Sequence, residues 1–384
     1  MVNPVRASPG AAGREPAAWP RIALTPVLLV LVALCLASGI SGGLVRAGVP
    51  VQDTAQAWLG RAALDHAALM ICGFLGTVIG IERAVAVKLR TAFIAPVAAG
   101  LGGACLLLGQ QTPGAWLEVV AAAVFTAVNV VVVGRQRAPH TVLLLVAAVC
   151  WLAGTVLFAA GIGSGAVLPW WFAFLVLTIA AERLEMTRLM PRRPVAQRWL
   201  YGVIAAMLAG AAWSGVSLPV GGLVYGAALL ALAIWLGAFD IARRTLFAPG
   251  LSRYMALCLL MGYGWLAVGG TAWAATALGL PVRDVALHAL GLGFIFSMIM
   301  GHAPVILPAV AGVKLRFGWY FYLPLAALHL SVAVRLGFGL VDLQARAAGA
   351  LFNAAAIVLF AATVIGSAVA WRLGSAPAAR SRVG

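Results

Sequence analysis

Apolar runs of about 20 residues, broken by glycine, proline and charged positions, recur along the whole chain, and that length is what an α-helix needs to cross a bilayer. Divided at the breaks, the sequence predicts twelve spans near residues 22–45, 62–87, 92–109, 115–134, 141–162, 167–186, 199–217, 221–241, 254–278, 285–312, 318–337 and 346–371. The expected class is all-α: a polytopic membrane protein of about twelve transmembrane helices. Its helical domain covers 22–372, between tails at 1–21 and 373–384. The first run is too long for a signal-peptide core and lacks a clear cleavage site, so it counts as a span.

Polar positions add an orientation. Arg83, Lys88 and Arg90 follow the second span, Arg135 and Arg137 the fourth, and Arg188, Arg192, Arg193 and Arg198 the sixth. Arg243, Arg244 and Arg253 follow the eighth, and Lys314 and Arg316 the tenth. The opposite connections at 110–114, 163–168 and 216–220 carry no charge. By the positive-inside rule the basic loops are cytoplasmic, and so are both termini.

Composition narrows the class further. With 64% hydrophobic and 9% charged residues the chain lies outside the range of soluble domains. Its net charge of +16 sits in short connections, where it sets orientation, so nucleic acid is not an expected partner and the lipid bilayer is. Cys35, Cys72, Cys105, Cys150 and Cys258 lie in apolar segments without CxxC spacing, which points to neither zinc nor a disulfide framework.

A short echo appears at the inner ends of the second and sixth spans, I-G-I-E-R around Glu82-Arg83 and I-A-A-E-R around Glu182-Arg183. A four-helix unit used three times, forming three arcs of four helices, would place spans two, six and ten in equivalent positions.

The candidate chemistry lies in the histidines. The segment from Asp284 to Lys314 is an apolar helix carrying His288 and His302. Their separation of 14 residues leaves the rings roughly 40° apart around the axis and about 21 Å apart along it. His66 and His288 fall at the outer ends of the second and tenth spans, and His329 in the outer half of the eleventh. Two opposed neutral imidazoles at one depth are what a six-coordinate b-type haem requires. Gly73, Gly76, Gly80, Gly291 and Gly293 would let a flat macrocycle approach the backbone, although such residues also serve ordinary contacts between membrane helices.

His329 is an alternative axial ligand, and His302, followed by Pro304 and Pro308, is either a second metal ligand or the cap of a kink. His140 reads as structural. Glu82 and Glu182 read as partners of arginines on other helices, with Glu185 and Arg188 extending the cluster, and Asp240 as a solvated helix terminus beside Arg243 and Arg244.

The run A-L-H-A-L-G-L-G-F-I-F-S-M-I-M-G-H-A-P, from Ala286 to Pro304, resembles the NnrS family of haem- and copper-containing bacterial membrane proteins linked to nitric oxide resistance. The run P-L-A-A-L-H-L-S-V-A-V-R-L around His329 gives looser support. The chain departs from that family after Gly301-His302, where Ala303 and Pro304 stand in place of T-G-R. The layout is also similar to the core subunit of haem-copper oxidases, whose second and tenth helices hold a low-spin haem. His66 and His288 match those roles, but spans six and seven carry no histidine for that family's copper.

The resemblance implies haem b on His66 and His288, with copper, where bound, at a site using His302 or His329. It also implies a diatomic ligand such as nitric oxide, a bacterial inner-membrane location and a possible homo-oligomer. The main rival is a secondary transporter of a small solute, which predicts discontinuous helices and a site near the midplane. A third reading, an assembly factor for a respiratory complex, makes the histidines scaffolding.

Overall fold

The computed structural model describes residues 24–50, 56–186 and 194–374. Among these residues there is no strand, and twelve helices are long and apolar enough to cross a membrane. They are α1 (Pro26–Arg46), α2 (His66–Val87), α3 (Arg90–Leu107), α4 (Gln111–Arg135), α5 (Pro139–Ala159) and α6 (Ser164–Met186). The second half contributes α7 (Pro194–Trp213), α8 (Leu218–Phe239), α9 (Leu251–Ala277), α10 (Arg283–Pro308), α11 (Trp319–Leu340) and α12 (Leu343–Gly374). The protein is thus a multi-pass, all-α membrane protein. Arg188, Arg192, Arg193 and the tail at 1–21 lie outside the described residues. So does the 373–384 tail, except for its first two residues, which continue α12.

Large apolar side chains such as Leu29, Trp116, Ile234 and Leu330 remain exposed on the outside of the bundle. In water they would form an oversized apolar surface, and against lipid tails they cost nothing.

The helices pack largely in sequence order. α3 lies against α4, α4 against α5, α7 against α8, α8 against α9 and α11 against α12, while α1 meets α12. α6 is the most enclosed of the twelve. In α6, 78% of the apolar window is buried, and in α2, α3 and α10 56%, against 33% in α1, α4, α7 and α12. α10 touches both α2 and α6, and Phe74 of α2 meets Phe296 of α10 with ring centroids 6.1 Å apart.

Two local departures shape this centre. The single second span expected from residue 62 is interrupted: a short helix Gln56–Leu64 ends at Asp65, and α2 starts at His66. Asp65 leaves helical geometry (φ −93°, ψ 13°) and its carboxylate accepts a 2.7 Å hydrogen bond from Gln111 Nε2. Burial pushes the Asp65 carboxyl above its ordinary range, while the Gln111 bond opposes that shift.

The second departure occurs twice. α2 widens into π-helical turns over Leu69–Gly76 and α10 over Ala289–Phe296, three residues after His66 and one after His288. Such widened turns re-aim side chains within a helix and recur at functional sites.

Candidate functional site

α2 and α10 bring His66 and His288 to one cavity of about 440 Å³. It runs from the end of the bundle opposite the basic loops to Leu75, Leu175 and Phe296, near the middle of α2, α6 and α10. The two ring centroids are 6.2 Å apart and the ring planes are inclined by 29°. Two imidazoles bound end-on to one metal would have centroids roughly 6 Å apart, given metal–nitrogen bonds of about 2 Å.

Hydrogen bonds assign the tautomers. His66 Nδ1 lies 2.7 Å from the Gly39 carbonyl of α1, which can only accept, so the proton sits on Nδ1 and Nε2 keeps its lone pair. The His66 ring packs over Gly43, where an added Cβ would come within 2.8 Å of Cε1. His288 Nδ1 lies 2.9 Å from Asp284 Oδ1 and 3.1 Å from the Asp284 carbonyl, again two acceptors. Arg335 Nη2 lies 3.1 Å from His288 Nε2, 3.3 Å from His288 Nδ1 and 3.1 Å from Asp284 Oδ1, so it is the Asp284 acceptors at Nδ1 that place the proton there. Both rings therefore keep Nε2 as the lone-pair nitrogen, the form in which imidazole binds a metal.

The cavity is apolar along its walls and cationic at one end. Met70, Ile71 and Leu75 of α2, Phe172 of α6, and Leu292 and Phe296 of α10 line it. Arg46, Arg283, Arg335 and Arg346 line it too, against the single carboxylate of Asp284. Arg46 donates to the Ala63 carbonyl (3.3 Å) and Arg283 to Ser164 Oγ (2.8 Å). Arg346 Nε is buried with no hydrogen-bond partner. A buried cationic donor without a partner is costly, and an anionic group in the cavity would satisfy it. A smaller cavity of about 340 Å³ adjoins this one and shares Ser164, Leu168, Arg283 and Leu287 with it.

The other sequence candidates lie elsewhere. His329 does not reach this cavity. The Trp265 indole donates to its Nδ1 at 2.8 Å, and its Nε2 lies 3.2 Å from Ser297 Oγ, whose own hydroxyl donates to the Cys258 carbonyl. Both nitrogens are used in joining α9, α10 and α11. His302 sits at the far end of α10 and its Nδ1–H donates to the Met298 carbonyl at 2.7 Å, one turn back. The helix runs on through Pro304 and Pro308 to Ala311. His140 is buried 3.9 Å from Glu185. Among the described residues no group of three or more His, Cys, Asp or Glu side chains is placed to hold a metal ion.

Two readings of polar and small residues change. Asp240 is not a solvated terminus: it is buried, and it accepts from Arg183 Nε at 2.8 Å and Nη2 at 3.1 Å. Of the five glycines expected at a cofactor, Gly291 lines the cavity with open space beside its Cα. Gly73 packs on Cys35, Gly76 on Trp151, Gly80 on Pro96 and Gly293 on Trp265, as small residues do at helix contacts. The glycine that cradles His66 is Gly43, on a helix not singled out from the sequence.

The family described as Domain of unknown function (DUF8744) matches residues 24–369, and the chain belongs to it. No curated protein and no solved structure matches the chain.

Proposed function

We propose that this DUF8744 protein binds one b-type haem in the cavity between α2 and α10, with His66 and His288 as axial ligands. The observation that carries the reading is two imidazoles, each with Nδ1 hydrogen-bonded to an acceptor, whose ring centroids lie 6.2 Å apart on a cavity with a cationic end. Apolar walls suit the macrocycle, and Arg46, Arg283 and Arg346 suit its two carboxylates. The open face of Gly291 leaves room for a flat group against α10. Two donors suffice for axial ligation, so the proposal is confined to haem and includes no copper.

A haem held in this way supplies one-electron redox chemistry, and loss of one imidazole opens a position for a diatomic ligand. The protein's own part is to exclude water with its apolar walls, to hold each imidazole in one tautomer, and to neutralise the carboxylates. The resemblance of α10 to the NnrS family supports nitric oxide as that ligand and nitrosative-stress tolerance as the role. The basic loops support cytoplasmic termini in a bacterial inner membrane.

A transporter would place its site near the midplane on broken helices. Here the helices that line the cavity, α2 and α10, widen without breaking. The test is haem content per chain in protein made with ample haem supply. Wild type is expected to carry about one haem and the His66→Ala and His288→Ala variants much less. A folded, haem-free wild type would overturn the proposal.

A further inference from the structure

The two candidate ligands differ in what holds them. His66 Nδ1–H donates to a peptide carbonyl, a neutral acceptor. His288 Nδ1–H donates at 2.9 Å to the carboxylate of Asp284, one helical turn earlier. A carboxylate behind a metal-bound imidazole raises its basicity and fixes its ring, and such partners are worth 10–100-fold in metal affinity. Arg335 Nη2 is a cationic group beside the His288 ring, 3.1 Å from Nε2 and 3.3 Å from Nδ1. The same Nη2 also contacts Asp284 Oδ1 at 3.1 Å, while Nε lies 3.4 Å from Oδ2, so a guanidinium that turns away from the ring can keep its Nε contact to Asp284.

We propose that Asp284 is a positioning residue that makes His288 the stronger donor of the two axial ligands and holds the haem reduction potential down. This rests on the haem reading above. A more basic imidazole places more charge on the metal, and the oxidised ion gains more from it than the reduced one. Asp284 is also shared with Arg335, which draws charge from the carboxylate, so the effect is a fraction of that of a free carboxylate. Exposure does not remove it: the Asp284 side chain is 35% exposed, but the His288 and Arg335 side chains it joins are only 19% and 7% exposed.

The experiment is a spectroelectrochemical titration of the full-length protein in detergent, comparing wild type with Asp284→Asn and Asp284→Glu. Asn keeps the shape and loses the charge, whereas Glu restores the charge on a longer arm. The expected result is a higher midpoint potential in Asp284→Asn, with Asp284→Glu between it and wild type. A tenfold preferential loss of affinity for the oxidised haem corresponds to 59 mV for one electron. If Asp284→Asn fails to fold, Asp284→Ser carries the same expectation in the same titration.

If Asp284 merely holds the start of α10, the variants lower thermal stability and leave the midpoint unmoved, which overturns the proposal. A midpoint shift of equal size in Asn and Glu also overturns it. A wild type that binds no haem sinks this inference together with the haem reading; a loaded wild type with an unmoved Asp284→Asn sinks this inference alone.

Discussion

Replacing Asp240 with alanine tests the packing of the central helix directly. Arg183 and Asp240 form a two-pronged pair at 2.8 and 3.1 Å, with side chains 4% and 1% exposed, and the Ala242 N–H also donates to Asp240 Oδ1 at 2.6 Å. At an effective dielectric of about 20, charges 2.8 Å apart attract by roughly 6 kcal/mol before desolvation is subtracted. Most of that attraction only offsets the cost of burial, so the pair adds little over a well-packed apolar substitute. Removing one partner is different, because Arg183 is left buried and unpaired at a cost of about 3–5 kcal/mol. At about 1.4 kcal/mol per tenfold, the unfolding equilibrium of Asp240→Ala moves by two to three and a half powers of ten. Unfolding by denaturing detergent in mixed micelles measures the change, with Arg183→Met and the double variant Arg183→Met/Asp240→Leu alongside. The double variant is expected to be more stable than either single one. A loss below about 1 kcal/mol in Asp240→Ala would be that of a surface pair and would refute the reasoning, as would additive losses in the double variant.

Other substitutions separate the cavity from its scaffold. Gly291→Phe fills the open face of the cavity, so haem content should fall while the unfolding midpoint stays near that of wild type; normal haem content would place the haem elsewhere. Trp265→Phe leaves His329 Nδ1 without its donor and is expected to cost about 1–3 kcal/mol in stability with no change in the haem spectrum. A spectral change in that variant would mean that His329 acts on the cofactor.

The spans were legible because length and hydropathy alone decide them, and α1 to α12 fall within a few residues of the expected bounds. Shared depth brings His66, His288 and His329 together in the sequence; packing keeps the first two at one cavity and turns His329 to Trp265 and Ser297 instead. What was hidden depends on contacts between helices. Asp240 looked solvated because it follows the last turn of α8 beside Arg243 and Arg244, and only packing shows that it is buried against α6. The π-helical turns leave no period in a sequence that is apolar on every side.

The cationic end of the cavity did have a signal. Arg46, Arg283, Arg335 and Arg346 stand on the side where the other connections are uncharged, against the positive-inside bias, and such exceptions call for a partner. Asp284, four residues before His288, was equally visible as a helical neighbour.

The central claim is that His66 and His288 hold one haem between them. Visible and electron paramagnetic resonance spectra of purified wild type, His66→Ala, His288→Ala and His329→Ala test it most directly. A low-spin, six-coordinate b-type haem is expected in wild type and in His329→Ala, and a high-spin or haem-free protein in the other two. A low-spin haem that persists in His66→Ala or His288→Ala would contradict it, and so would a wild type without haem.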